Sequence, residues 1–382
     1  MFKYLGLLLL TIGVPALRAE DPTAGTELMM TFLIHRHGDR TPVETSLTYS
    51  TDSDALDALS APYGYGQLTD EGKRTAYKLG KFIRGRYDEL LSEKYNKSEI
   101  YIRSTDSTRT KMTALAAMSA VYPAGGDNWS DEINWTPIPY TTVPVKYDFN
   151  MAMFNCPTFT SFYYTSFMSS PSSMEKFSDT LATWSNYVSV NLTDYPMLAY
   201  AVYDVYTAQI NLGLPLGEEL ESIWSDIEDT AGGAVDVAFG DDDYKKYQAG
   251  VLLNEFFNVI EKFMNGEDTQ RVQIYSAHDV NVYAFMAITE IFPRQGVPKY
   301  GSAFALELRK VTETGDYVIL PVYLKDPKTE EVVYLQVEGC DDLLCSYDTF
   351  KEITSGNAMD EDTWRSGCGF TDDLVIDTTT VN

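Results

Sequence analysis

Seven consecutive residues, Arg36-His37-Gly38-Asp39-Arg40-Thr41-Pro42, set one potential nucleophile between two guanidiniums at the end of an apolar stretch. A neutral imidazole can attack phosphorus and carry the phosphoryl group covalently, which divides one hard displacement into two easier ones. Arginines a few positions apart at a turn can converge on non-bridging oxygens, where a planar fork suits a phosphate better than a lysine's point charge. Their charge would stabilise a transition state whose catalysis is mostly electrostatic. Gly38 reads as letting the backbone approach the anion, and Pro42 as stopping the segment from continuing as strand or helix. The bland alternative is an exposed basic turn. The full run argues against it, since functional residues gather on loops at strand ends.

Two further segments carry matching chemistry. Glu99 to Asp106 (EIYIRSTD) reads as a short strand delivering Arg103 to a turn, with Ser104, Thr105 or Asp106 available to cap the following helix. Arg103 is thereby expected beside a positive helix end. Far downstream, Arg271 to Ala277 is another apolar strand, and it ends in His278-Asp279. That pair offers a phosphate-binding imidazole and a carboxyl group able to protonate a leaving oxygen.

Together these segments resemble the histidine acid phosphatases, one branch of the histidine phosphatase superfamily. The matching blocks are RHGDRTP at Arg36 to Pro42, IRSTDSTRT at Ile102 to Thr110 and SAHDVNV at Ser276 to Val282. GQLTDEG at Gly66 to Gly72 is similar to the family's turn into its first long helix, and Phe154-Asn155-Cys156-Pro157 to a cysteine segment of the animal enzymes. The resemblance implies that His37 is the nucleophile, that Arg36, Arg40, Arg103 and His278 bind phosphoryl oxygens, and that Asp279 is the proton donor. It implies a small phosphomonoester substrate, no cofactor and no metal; a homodimer is open, as in related animal enzymes.

Met1 to Ala19 has Lys3, an apolar core through Leu7 to Leu10 and alanines before Glu20, which is the anatomy of a signal peptide. The apolar run is too short to span a bilayer, and no later stretch offers about twenty apolar residues. The expected product is soluble, with no membrane anchor, and secreted or lumenal, lysosomal included. Four cysteines suit an oxidising compartment. Proximity favours Cys340–Cys345, which leaves Cys156 for Cys368, and the resemblance implies the same pairs. Zinc is the competing reading, but there is no paired CxxC and no histidine partner. Sequons at Asn96, Asn128, Asn134 and Asn191 predict surface glycosylation. The formal net charge is −27, and loss of Lys3 and Arg18 with the leader makes the remainder more acidic. Such a chain repels nucleic acid and, without a lysine-lined pocket, polyanions such as inositol hexakisphosphate.

The elements that must position these residues read as α/β. After a strand over Leu28 to Ile34, apolar residues from Ala76 to Leu91 recur at helical spacing behind Thr69. The Arg103 strand is followed by a helix through Met112, Leu115, Met118 and Val121. Strands alternating with helices predict a mostly parallel sheet with helices on both faces and catalytic residues at its carboxyl ends. The resemblance implies a phosphoglycerate-mutase-like core. Residues 126–265 are aromatic-rich and Ser/Thr-rich without strand alternation, and read as an inserted, mainly α-helical cap domain between core segments 20–125 and 266–382. Later strands are expected at Ala303 to Lys310, Tyr317 to Leu324 and Val332 to Val337, with Thr314-Gly315-Asp316 as a hairpin turn.

Other features read more plainly. His35 with His37 makes an HxH, but a metal centre would need a further ligand beside two arginines that repel the cation; His35 is expected to pack. Tyr147, Phe149 and Tyr203 are candidates for a substrate mouth, and Asp241 to Asp243 for a solvated loop. The competing functions are a phosphoryl mutase, which would ordinarily carry a glutamate acid where this chain has Asp279, a phytase, and an inactive relative acting as a secreted binding protein or antigen.

Overall fold

The computed structural model describes residues 21–125 and 129–370. The signal peptide at 1–19, the sequon at Asn128 and the polar tail at 372–382 lie outside the described residues.

Strand β1 (Thr26–Arg36) is buried on both sides and shows the period of two that a central strand requires. Phe32 and Ile34 join the apolar cluster on one face, and Leu33 joins the other. A register shift between Leu28 and Met30 switches parity there, so Leu28 shares a face with Leu33 and Met30 with Phe32. β1 pairs in parallel with β4 (Val272–Ala277), β4 with β2 (Ile100–Thr105), and β2 with β3 (Thr141–Val143). On its other edge β1 is antiparallel to β6 (Ala303–Val311), which is antiparallel to β7 (Tyr317–Asp326); β8 (Glu331–Tyr334) and β10 (Cys345–Ser346) add to β7. Two reversals bring β7 back to the direction of β1, so the sheet is mostly parallel by direction, with a purely parallel half where β1, β4, β2 and β3 lie together. The β6 to β7 hairpin turns at Gly315, whose φ of 81° suits glycine. β5 (Ile291–Phe292) and β9 (Gln336–Val337) pair separately.

Helices cover both faces. α1 (Asp70–Tyr87) and α2 (Thr108–Val121) lie on the Leu33 face. Thr69 caps α1 by accepting from the Gly72 N–H at 3.1 Å, with acidic residues in the first turn and arginines in the last. α3 (Ala199–Asn211) and α4 (Trp224–Phe239) belong to the 129–265 stretch, as does α5 (Lys245–Met264), which with α6 (Asp279–Ile288) covers the Phe32 face. Rings of Phe256 on α5 and Phe285 on α6 each stand 5.6 Å from Phe32. Within that stretch β3 pairs with β2 in the sheet and α5 packs directly on its Phe32 face, while other apolar residues, Trp184, Tyr206 and Phe239 among them, run on from the same face in one continuous cluster. Cys156 is bridged to Cys368, and Cys340 to Cys345. The first bond spans 212 positions and ties this stretch to the C-terminal part of the chain. No described helix is long and apolar enough to cross a membrane.

Candidate active site

The carboxyl ends of β1 and β4 lie side by side in a parallel sheet, so the turns that follow them meet. The turn after β1 is clamped through its backbone. His37 donates its main-chain N–H to Ala277 at 3.0 Å, its carbonyl accepts from Gly301 at 2.9 Å, and Gly38 donates to Thr113 Oγ1 at 3.1 Å. Thr41 donates to the Gln67 carbonyl at 3.1 Å, and Asp39, fully buried, accepts from Thr75 and Lys328. The glycine in this run has a different reason from the one its sequence context suggested. A Cβ on Gly38 would stand 2.2 Å from the Gly72 carbonyl oxygen, and one on Gly72 would stand 2.0 Å from that of Asp39. The two glycines let the turn rest directly on the start of α1.

His37 is buried, and its Nδ1 lies 2.8 Å from the Gly38 carbonyl oxygen. A carbonyl only accepts, so Nδ1 carries the proton and Nε2 keeps its lone pair. Burial, then the charges of Arg109, Arg36, His278 and Arg40, hold this imidazole well below the usual histidine range. It stays a base in acid surroundings. His278 faces it with ring centroids 5.4 Å apart and is lowered in the same way, by burial and by Arg109, Arg40 and Arg36. Arg109 Nη2 donates to His278 Nδ1 at 3.3 Å, which leaves the ring proton on Nε2, 3.1 Å from Thr105 Oγ1. Asp279 opens α6; one oxygen accepts from the Val280 N–H at 3.0 Å and the other lies 2.9 Å from Arg36 Nη2.

Of the residues expected here, His37, Arg36, Arg40, His278 and Asp279 come together and Arg103 does not. On β2, Ile100 and Ile102 face the Leu33 side, so Arg103 points to the opposite face with Tyr101, beneath the sheet edge. There its guanidinium pairs with buried Asp148 at 2.7 Å and Glu255 at 3.5 Å, and lies 4.3 Å from the Phe149 ring centre. This corrects its assignment to the phosphate site: Arg103 stands level with Ile34 and Tyr275, two residues short of Arg36, and is held there by Asp148 and Glu255 away from the two histidines. The third guanidinium of the cluster is Arg109, in the first turn of α2. Burial and the repulsion of Arg40 lower it to about 10. The expected capping of that helix by Ser104, Thr105 or Asp106 is also replaced: the N-cap is Ser107, without a side-chain cap bond.

Asp204, from α3, was not expected. Its carboxylate sits between Arg36 and Arg40, 3.2 Å from Nη2 of Arg36 and 2.9 and 2.7 Å from Nη2 of Arg40. Burial pushes Asp204 up, but Arg40, Arg36 and Arg109 outweigh it and the net direction is down. Arg36 and Arg40 each spend Nη1 on a backbone carbonyl, of Pro298 and Thr41, and the Tyr300 ring lies 4.0 Å beneath Arg36. The Nε–H groups of Arg36, Arg40, Arg103 and Arg109 are buried and meet no acceptor in the protein. Three of them, on Arg36, Arg40 and Arg109, belong to the charges that act on both His37 and His278, and orphaned cationic donors that converge in this way mark an anion site. Tyr300 also lines a cavity of about 150 Å³, with Asp39, Tyr203, Trp224, Lys299 and Lys328; Phe149 lies instead under Arg103. His35 is fully buried, bonds to the Arg36 carbonyl and is lowered to about 4 by burial. Among the described residues no three metal-ligating side chains come together.

A model of the histidine phosphatase superfamily (branch 2) matches residues 27–320. The chain belongs to that superfamily. Prostatic acid phosphatase of Homo sapiens is 30% identical over 352 residues, covering 90% of this chain and 88% of the relative; that of Bos taurus is 30% identical over 88% and 86%. Lysosomal acid phosphatase of Homo sapiens is 27% identical over 87% and 79%. Among solved structures, a Hafnia alvei phytase in complex with tartrate superposes with a TM-score of 0.64 at 14% identity, over 89% of this chain and 99% of that one. At that identity the likeness shows the fold. In this histidine phosphatase superfamily member the matched span begins within β1 and ends within β7, so it takes in the whole site.

Proposed function

We propose that the protein is an acid phosphatase, exported or lumenal, that hydrolyses small phosphate monoesters through a phosphohistidine on His37. The observation that carries this reading is the set of three buried guanidinium Nε–H donors around an imidazole whose Nδ1 is anchored and whose Nε2 is free. In the first step the Nε2 lone pair attacks phosphorus, the P–O ester bond breaks, and Asp279 gives its proton to the leaving oxygen. In the second, the Asp279 carboxylate takes a proton from water as its oxygen attacks phosphorus; the P–N bond breaks and orthophosphate leaves. Arg36, Arg40 and Arg109 hold the non-bridging oxygens throughout, and His278 joins them by turning its Nε2–H from Thr105 Oγ1 to the phosphoryl group.

The acid phosphatase names of the relatives support the same class, as does the acidic surface, with a net charge of −27, in an oxidising compartment that suits two disulfides. Asn96, Asn134 and Asn191 are exposed, as glycan acceptors must be. The phytase title of the fold neighbour does not carry over: of the two cavity lysines, Lys299 and Lys328, the second is already paired with Asp39, and the overall charge opposes a polyanion. The test is rapid denaturing quench with phosphorus-labelled p-nitrophenyl phosphate in EDTA. Wild type should turn over and hold labelled protein, and His37→Ala should do neither. Label on the His37→Ala protein would refute the nucleophile, and loss of activity on chelation, restored by zinc, would make the reaction metal-assisted.

A further inference from the structure

A side-on guanidinium fork binds an anion through its Nε and Nη2 together. On Arg36 and Arg40 the Nε of each fork has no acceptor in the protein, while the Nη2 of each is held by Asp204. Their Nη1 groups are fixed on the Pro298 and Thr41 carbonyls, so neither arginine can turn another edge to a ligand without losing a backbone bond. A phosphoryl group that takes both forks therefore competes with Asp204 for Nη2 of Arg40, and with Asp204 and Asp279 for Nη2 of Arg36. Without Asp204, two buried guanidiniums sharing one site would repel each other.

We propose that Asp204 is the resident counter-anion of the phosphoryl site: it holds Arg36 and Arg40 convergent, yields them to an entering phosphoryl group, and takes up a proton when displaced. The proposal rests on the phosphatase reading of this site. Its physical ground is what surrounds the carboxylate. From β1 and the turn after it come Arg36 and Arg40, from α2 Arg109, and from α6 Asp279, which shares Arg36. Tyr300 lies ahead of β6, Tyr200 one turn back on α3, and Tyr163 on the helix Pro157–Phe167; all three are neutral phenols raised by burial. The arginines alone offset the burial of Asp204. Once their Nη2 groups turn to a dianion, burial and the new negative charge both act to protonate it, so acid favours the exchange.

Sulfate is the probe, because its charge does not change between pH 5 and 7.5. Titration calorimetry on the full chain should show wild type binding sulfate more tightly as pH falls, by up to about tenfold per pH unit beyond the Asp204→Asn enzyme. At pH 7 the Asp204→Asn enzyme should bind about tenfold tighter than wild type, and the gap should close toward pH 5. Asp204→Ser should behave alike. If neither variant folds, proton uptake on sulfate binding by Asp279→Asn decides, since Asp204 remains there to take the proton. Equal pH slopes, weaker binding by Asp204→Asn, or no proton taken up would overturn the proposal. Sulfate that fails to bind wild type, or is not displaced by orthophosphate, would overturn the phosphatase reading beneath it.

Discussion

On the sheet side of the cleft, His37 is held by its own main chain: N–H to Ala277, carbonyl to Gly301, with Gly38 on Thr113 and two glycines pressing the turn against α1. On the opposite side, Asp204 reaches the same arginines from the middle of α3, through a side chain alone. Reacting atoms need placement within fractions of an ångström, which backbone clamps on a buried sheet supply. A helix packed by apolar contacts tolerates small shifts, and a carboxylate that must let go of its partners gains from that. The sheet side thus fixes His37, and α3 supplies the carboxylate that our proposal makes exchangeable.

The largest expected effects separate two arginines six positions apart. Arg103→Ala leaves Asp148, fully buried, without its ion pair, and should cost about 3–5 kcal/mol of stability in urea unfolding. The enzyme that remains folded should keep kcat/KM within about threefold, since truncations outside the reacting cluster act through stability. Arg109→Ala should do the reverse, with kcat/KM down by about 10²–10³ and little change in unfolding midpoint. If Arg103→Ala lost catalysis while remaining as stable as wild type, the division between a structural and a phosphate-facing arginine would fail.

These two residues also show where reading the sequence stops. His37, Arg36, Arg40, His278 and Asp279 were legible because each lies within a few residues of a strand end, and the sheet order puts those ends together. The same rule chose Arg103, but it ignored depth: Arg103 stands level with Tyr275 and Ile34, two residues short of Arg36, where Asp148 and Glu255 take its guanidinium. Arg109 had a signal that was not used. Helical side chains lean toward the N-terminus, so an arginine in the first turn of α2 leans back over the end of β2. Asp204 had none, because its place depends on how α3 docks across 164 residues from Arg40. Both disulfides were legible from spacing and resemblance. The pairing of β3 with β2 and the packing of α5 on the sheet were not, since a three-residue strand and a helix carry no mark of which element they meet.

A smaller effect sharpens the sheet side's chemistry. Asp279→Asn keeps the hydrogen-bonding shape and removes the proton. Single-turnover phosphorylation of alkyl phosphates should slow by about 10² or more, and that of p-nitrophenyl phosphate, whose leaving group needs little protonation, by only about threefold. A uniform loss across leaving groups would make Asp279 an anchor for Arg36 and not the acid.

The smallest effect lies behind the clamp. His35 is fully buried, its Nδ1 bonded to the Arg36 carbonyl, and burial holds it at about 4 against the ordinary 6.5. It is therefore neutral in the folded chain where the unfolded chain has already taken up a proton. The stability tied to its neutrality is complete above pH 6.5, falls as pH drops from 6.5 toward 4, and levels off below 4. At pH 5.5 the loss is about 1.4 kcal/mol. His35→Asn retains a donor for the Arg36 carbonyl and does not titrate, so its unfolding free energy should decline less between pH 7 and 5.5 by that amount. Kinetic constants at pH 7 should be nearly unchanged, because His35 touches the clamp and not the reacting atoms. If wild type and His35→Asn lost stability in parallel down to pH 5.5, the imidazole would be taking up its proton inside the fold, and the strand behind the nucleophile would be open to water.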